Sequence, residues 1–120
     1  MKVAVTTQGQ EMSSPLDPRF GRAQWIMVVD TDSGDFKVHD NTVNLNIAQG
    51  AGIQTAKRVI DLEAVAIVTG NVGPKAFTTL NAANVEIFLA RDTTVADAIE
   101  ALKSGELESV SQANVEGHWG

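Results

Sequence analysis

Short apolar runs alternate with stripes spaced for helices, and that alternation organises the whole chain. Val3-Ala4-Val5 and Trp25-Ile26-Met27-Val28-Val29 are rich in β-branched residues and predict buried strands over roughly Lys2–Thr6 and Gln24–Asp30. Thr31-Asp32-Ser33-Gly34-Asp35 has the residues of a hairpin turn. A third strand, roughly Phe36–Asp40, places Phe36 and Val38 on one face and Lys37 and His39 on the other, as an edge strand does. After an Asn-rich connection, Asn41–Gly50, the period lengthens. Ile53, Ala56, Val59 and Ile60 share one stripe of a helix over Ala51–Leu62. Val65–Thr69 is apolar throughout and reads as a central strand. Pro74 suits the first turn of a second helix, with Ala76, Phe77, Leu80 and Ala83 as its buried stripe and Asn84 placed to close it. Val85–Leu89 is the last strand. Thr93 or Thr94 caps a final helix, Asp97 completing a capping box from Thr94, with Val95, Ala98, Ile99 and Leu102 inside and Gly105 past its end. Glu106–Gly120 is polar and weakly periodic, so the expected organisation is one domain over residues 1–105 and a flexible C-terminal tail over residues 106–120.

The order is βββαβαβα. Parallel neighbours need a crossover, and right-handed crossovers with short connections favour a mixed five-stranded α/β sheet in the order 3-2-1-4-5 with strand two antiparallel. This is the ribonuclease-H-like, three-layer arrangement. Strands one, three, four and five then point the same way, and the loops after them meet at one edge: Thr7–Ala23, Asn41–Gly50, Gly70–Gly73 and Ala90–Thr93. Strands one and four are neighbours whose chains leave for different places, so a crevice is expected above them, where ligands of open α/β sheets bind.

The Thr7–Ala23 segment is long for a connection in so small a domain. Such loops are commonly functional. Ser13-Ser14-Pro15-Leu16-Asp17-Pro18-Arg19-Phe20-Gly21-Arg22 combines prolines, arginines, a glycine and an aromatic ring, which suits a shaped, cation-bearing lip; an ordinary surface loop is the plainer reading. The chain has 120 residues, 43% of them hydrophobic, and a formal net charge of -6. That charge argues against nucleic acid and acidic membranes as partners. The absence of cysteine excludes disulfides, thiolate ligands and a cysteine nucleophile. No secretory signal or membrane-length run is visible, so a cytoplasmic location is expected.

Against this acidic background, Arg19, Arg22, Lys75 and Arg91 fall on or near the loop edge. Gly50, Gly52, Gly70 and Gly73 allow close approach to backbone N–H groups, and the helix opened by Pro74 directs its positive end there. An anion held by N–H groups and guanidinium forks is the expected guest. The glycines around Gly70 equally fit a tight strand-to-helix turn.

Three segments carry a family resemblance: Arg19-Phe20-Gly21-Arg22-Ala23 before a strand, Gly50-Ala51-Gly52-Ile53-Gln54 opening a helix, and Thr69-Gly70-Asn71-Val72-Gly73-Pro74-Lys75-Ala76-Phe77 followed by Leu80-Asn81-Ala82-Ala83. In order and spacing they resemble the dinitrogenase iron–molybdenum cofactor biosynthesis family, over roughly Met1 to Leu107. The resemblance implies a ribonuclease-H-like fold without nuclease activity, and binding of metal–sulfur clusters for transfer. One branch, the orange proteins of sulfate-reducing bacteria, is associated with a molybdenum–copper sulfide cluster held without cysteine. The implied cofactor-binding set is Ser13, Ser14, Arg19, Phe20, Gly21 and Arg22 from the long loop, Gly50, Ala51 and Gly52 from the helix opening, and Gly70, Asn71, Val72 and Gly73 from the turn after strand four. Many members have histidine directly before the Phe-Gly pair. Here the residue is Arg19, which stays protonated and cannot ligate a metal, so the expectation shifts from coordination to electrostatic capture. For direct metal ligation only His39, His118 and Met12 come into question, with Met27 read as core. Two isolated histidines make no ligand spacing.

The expected function is therefore a non-catalytic carrier or scaffold for an anionic molybdenum-containing metal–sulfur cluster, of Mo–Cu–S or Fe–Mo–S type. A protein donor or acceptor of the cluster is the expected partner, with no nucleic acid or membrane partner. The alternatives are a cofactor-free protein-interaction module and a divergent metal-dependent hydrolase. The latter needs clustered carboxylates, and the first strand has none.

Overall fold

The computed structural model describes residues 1–42 and 50–110. At the centre lies β1 (Lys2–Thr7), paired antiparallel with β2 (Trp25–Asp30) on one side and parallel with β4 (Ala66–Thr69) on the other. β3 (Phe36–Asp40) adds antiparallel to β2, and β5 (Glu86–Leu89) adds parallel to β4. The sheet order is β3-β2-β1-β4-β5, as the crossover rules require, with β2 antiparallel to both its neighbours. Among the described residues the helices are α1 (Ala51–Asp61), α2 (Pro74–Ala82) and α3 (Val95–Lys103), and a 3-10 turn at Phe20–Arg22 lies inside the long loop.

The period-two alternation of the strands divides the core into two halves. Ala4, Ile26, Val28, Ile67 and Ile87 meet Ala56, Val59, Ala76 and Leu80 beneath α1 and α2. Val3, Val5, Met27, Val29 and Val68 meet Val95, Ala98 and Ile99 beneath α3. With both faces covered, β1 and β4 are apolar on both sides, which is why their sequences run rather than alternate. The helix ends obey local chemistry. The Thr94 hydroxyl accepts from the Asp97 N–H at 3.2 Å. Asn84 (φ 60°) and Gly105 (φ 78°) take the left-handed conformation that stops α2 and α3.

The first residues of the expected C-terminal tail are held. Ser109 bridges Phe88, the Val110 N–H donates to the Ile87 carbonyl at 2.9 Å, and Leu107 and Val110 pack against the two core halves. The apolar edge of β5 gives this short segment a partner. Residues 111–120 lie outside the described residues.

Candidate functional site

The long loop straddles the carboxyl edge of the sheet. Its first half docks on the start of α3: the Val95 and Ala96 N–H groups donate to the carbonyls of Ser14 (3.0 Å) and Met12 (2.8 Å), and Leu16 N–H to that of Thr93 (2.9 Å). The N-terminal donors of α3 are thus partly met by the chain's own loop. The second half crosses to the other face, where Phe20 is fully buried in the core beneath α1 and α2.

Beneath the crossing lies a buried polar knot. The Asp17 N–H donates to the Thr6 carbonyl (2.8 Å), and the Thr6 hydroxyl lies 2.7 Å from both the Asp17 carbonyl and the Thr69 hydroxyl. This ties the loop to the ends of β1 and β4, the two strands flanking the expected crevice. Asn71 secures the next residues. Its carbonyl accepts from Phe20 N–H (3.3 Å), its carboxamide N–H donates to the Pro18 carbonyl (3.2 Å), and its carboxamide oxygen accepts from the Arg91 guanidinium (3.1 Å). Gly70 is required here by close approach: a Cβ would sit 2.6 Å from Pro18 Cα. α1, opened by Gly50 in the left-handed conformation (φ 80°), packs against the 3-10 turn. Arg19, Phe20, Asn71 and the opening of α1 therefore gather at one edge.

Beside this knot is a polar groove of about 370 Å³ lined by Gln8, Asp17, Arg19, Arg22 and Gln24. Asp17 is 2% exposed; its carboxylate accepts from Arg19 N–H at 2.9 Å and lies 3.5 Å from Arg19 Nε, whose side chain is 49% exposed. Lys75 stands exposed in the first turn of α2. A larger hollow of about 660 Å³ lies away from this edge, along the β2–β3 hairpin, between Val28, Phe36 and Leu62, with lysines and aspartates mixed on its rim. The smaller groove has the convergent cationic chemistry and is the candidate site.

The structure sorts the residues expected to bind cofactor. Arg19 and Arg22 line the groove, and Gly70, Asn71, Val72 and Gly73 form the adjoining turn. Phe20 and Val72 are buried side chains of the core, Gly21, Ala51 and Gly52 are buried, and Gly50 is exposed at the start of α1. Ser13 and Ser14 belong to the α3 side; the Ser14 hydroxyl accepts from Glu11 N–H at 2.9 Å. Met12 packs against the core below α3. His39 lines the larger hollow, and its pKa is lowered by burial and by the nearby Arg58 and Lys37 charges. His118 lies outside the described residues. Among the described residues, no three His, Cys, Asp or Glu side chains converge as metal ligands, and no helix is long and apolar enough to cross a membrane.

Sequence reasoning missed Gln8, Asp17 and Gln24 as groove walls, and Asn41 as a staple. Buried Asn41 donates from its carboxamide to the Ala23 carbonyl (3.0 Å) and the Thr55 hydroxyl (3.2 Å), joining the exit of the 3-10 turn to α1. The available signal was the set of threonines ending apolar strands, Thr6, Thr7 and Thr69, which marks a polar layer above the core.

Fold and rim together define a small three-layer α/β protein with a cationic loop edge and no thiol. The chain belongs to the dinitrogenase iron–molybdenum cofactor family, which residues 1–105 match. Its structure is similar to that of the apo form of the orange protein from Desulfovibrio gigas, with a TM-score of 0.93 and 33% identity, covering 95% of this chain and 96% of that one. It is also similar to the solution structure of a NifB-type protein from Thermotoga, with a TM-score of 0.83 and 34% identity over 97% and 98% of the two chains. An uncharacterized protein of Methanocaldococcus jannaschii is 28% identical over 111 residues, 90% of each chain.

Proposed function

We propose that the protein is a non-catalytic carrier that holds an anionic molybdenum-containing metal–sulfur cluster, of Mo–Cu–S or Fe–Mo–S type, at the loop edge and hands it to a protein acceptor. One observation carries this reading: Arg19 and Arg22 share a groove at the carboxyl edge of the central strands in a chain with net charge -6. The donor set fits the cargo. Guanidinium and carboxamide N–H groups suit the sulfide face of an anion. A chain with no cysteine, and no convergent ligand group among its described residues, is poorly suited to gripping bare metal ions. The family and the similarity to an orange protein support the same class of cargo.

The test is to mix the protein with tetrathiomolybdate and copper and pass it through gel filtration. Visible absorption is expected to co-elute with the protein, and to be largely lost when Arg19 and Arg22 are both replaced by Ala, with the fold unchanged. Colour found only in the small-molecule fractions, or fully retained by the double variant, refutes the assignment.

A further inference from the structure

Asp17 is an odd residue to find on the wall of a groove that collects anions. Its carboxylate is almost wholly buried, and both its backbone groups are locked to Thr6. The local structure does not need the charge. An acceptor for the Arg19 N–H is what the turn requires, and a neutral carboxamide supplies one. The ion pair with Arg19, at 3.5 Å to a side chain 49% exposed, contributes about 1 kcal/mol at most. The carboxylate lines the same groove as the Arg19 and Arg22 side chains, whose positive charge it offsets.

Resting on the carrier reading, we propose that Asp17 is a release residue: a fixed negative charge that weakens capture so that the cargo can leave. A carrier must let go, and the arginine-lined rim without the Asp17 carboxylate would hold a multiply charged sulfide anion too firmly. Even at the dielectric of water (about 80), a carboxylate roughly 6 Å from a dianion weakens binding about tenfold, and burial of the carboxylate makes this a lower bound. Because tight complexes of one interface differ mainly in dissociation rate, most of this factor falls on release.

The experiment measures tetrathiomolybdate binding by equilibrium dialysis, and its release by chase, at low and high salt. Asp17→Asn is expected to bind about tenfold more tightly and release more slowly, the gain shrinking as salt rises. Asp17→Glu keeps the charge and gains nothing. Glu108→Gln removes a charge on the exposed segment beside β5 and also gains nothing. Gln24→Glu, at an exposed position lining the same groove, adds a carboxylate and is expected to weaken binding by a similar factor. If the wild type binds but Asp17→Asn binds equally or more weakly, the release role is wrong and the carrier reading stands. If Asp17→Asn does not fold, Gln24→Glu decides, and unchanged affinity there overturns the inference. If neither the wild type nor any folded variant binds the probe, both readings fall together.

Discussion

Gly70→Ala tests the close approach on which the rim depends. The new Cβ would lie 2.6 Å from Pro18 Cα, 2.7 Å from Pro18 Cβ and 2.9 Å from the Pro18 carbonyl oxygen. Two of these are backbone atoms and the third belongs to a closed ring, so no side-chain rotation relieves the overlap. The Pro18–Phe20 segment must back away from β4, at an overpacking cost of about 2 kcal/mol. Its hydrogen bonds to Asn71, at 3.2 and 3.3 Å, stretch with it and add about 1 kcal/mol more. With an unfolding entropy of about 2.1 cal/mol/K per residue, a loss of about 3 kcal/mol lowers the Tm of this 120-residue chain by roughly 12 °C. Gly34→Ala is the control. Its Cβ would enter open space, but φ is 82°, so only the left-handed strain of about 1 kcal/mol is expected, or roughly 4 °C. Thermal melts followed by circular dichroism read both. Gly70→Ala should also lose cluster retention, because displacing Pro18 carries Arg19 with it. A Gly70→Ala protein that melts within about 2 °C of wild type would show that the loop yields without penalty, and the rim would then owe nothing to this glycine.

Further outcomes follow from other contacts. Asn41→Ala leaves the Ala23 carbonyl and the Thr55 hydroxyl short of a buried partner, and urea unfolding should show a loss of about 2 kcal/mol. The lowered pKa of His39 means that its contribution is fully present above the unfolded imidazole value of 6.5 and is lost as pH falls from there through the folded value. His39→Gln should flatten the stability–pH curve in that window, and an unchanged slope would refute the assignment. Arg91→Ala, on the exposed side of the Asn71 carboxamide, should weaken anion retention while leaving the melting temperature within about 2 °C. A chain stopped after Gly105 should melt below one stopped after Val110, by about 2 kcal/mol, because only the longer one keeps Leu107 and Val110 against the core.

Strand and helix placement was legible because it depends on patterns that are local, and the sheet order then followed from the crossover rules. The switch from β-branched runs to the Ile53-Ala56-Val59 stripe, Pro74 at the start of α2 and Asn84 past its end each name their own element. The rim was legible only as a neighbourhood. Arg19 and Asn71 are far apart in sequence, and their meeting follows from parallel pairing of β1 with β4, which topology supplies. What each rim side chain does was hidden. Phe20, expected in the cofactor-binding set, is fully buried, because the loop folds back and uses the ring as its anchor. Asp17 carries no sequence signal of burial; the pairing of its backbone with Thr6 places it inside. Ser13 and Ser14 lie in the half of the loop that docks on α3, a placement set by the Val95 N–H bond to the Ser14 carbonyl rather than by any sequence signal.

The two flanks of the sheet are finished differently. Beyond β5 the chain lays down its own Ser109–Val110 segment, whereas β3 has no strand outside it among the described residues. Among the described residues, β3 is therefore the flank left open to lateral strand addition. Pairing through β3 alone would be isologous and would close at two copies, whereas a filament would need a second open flank.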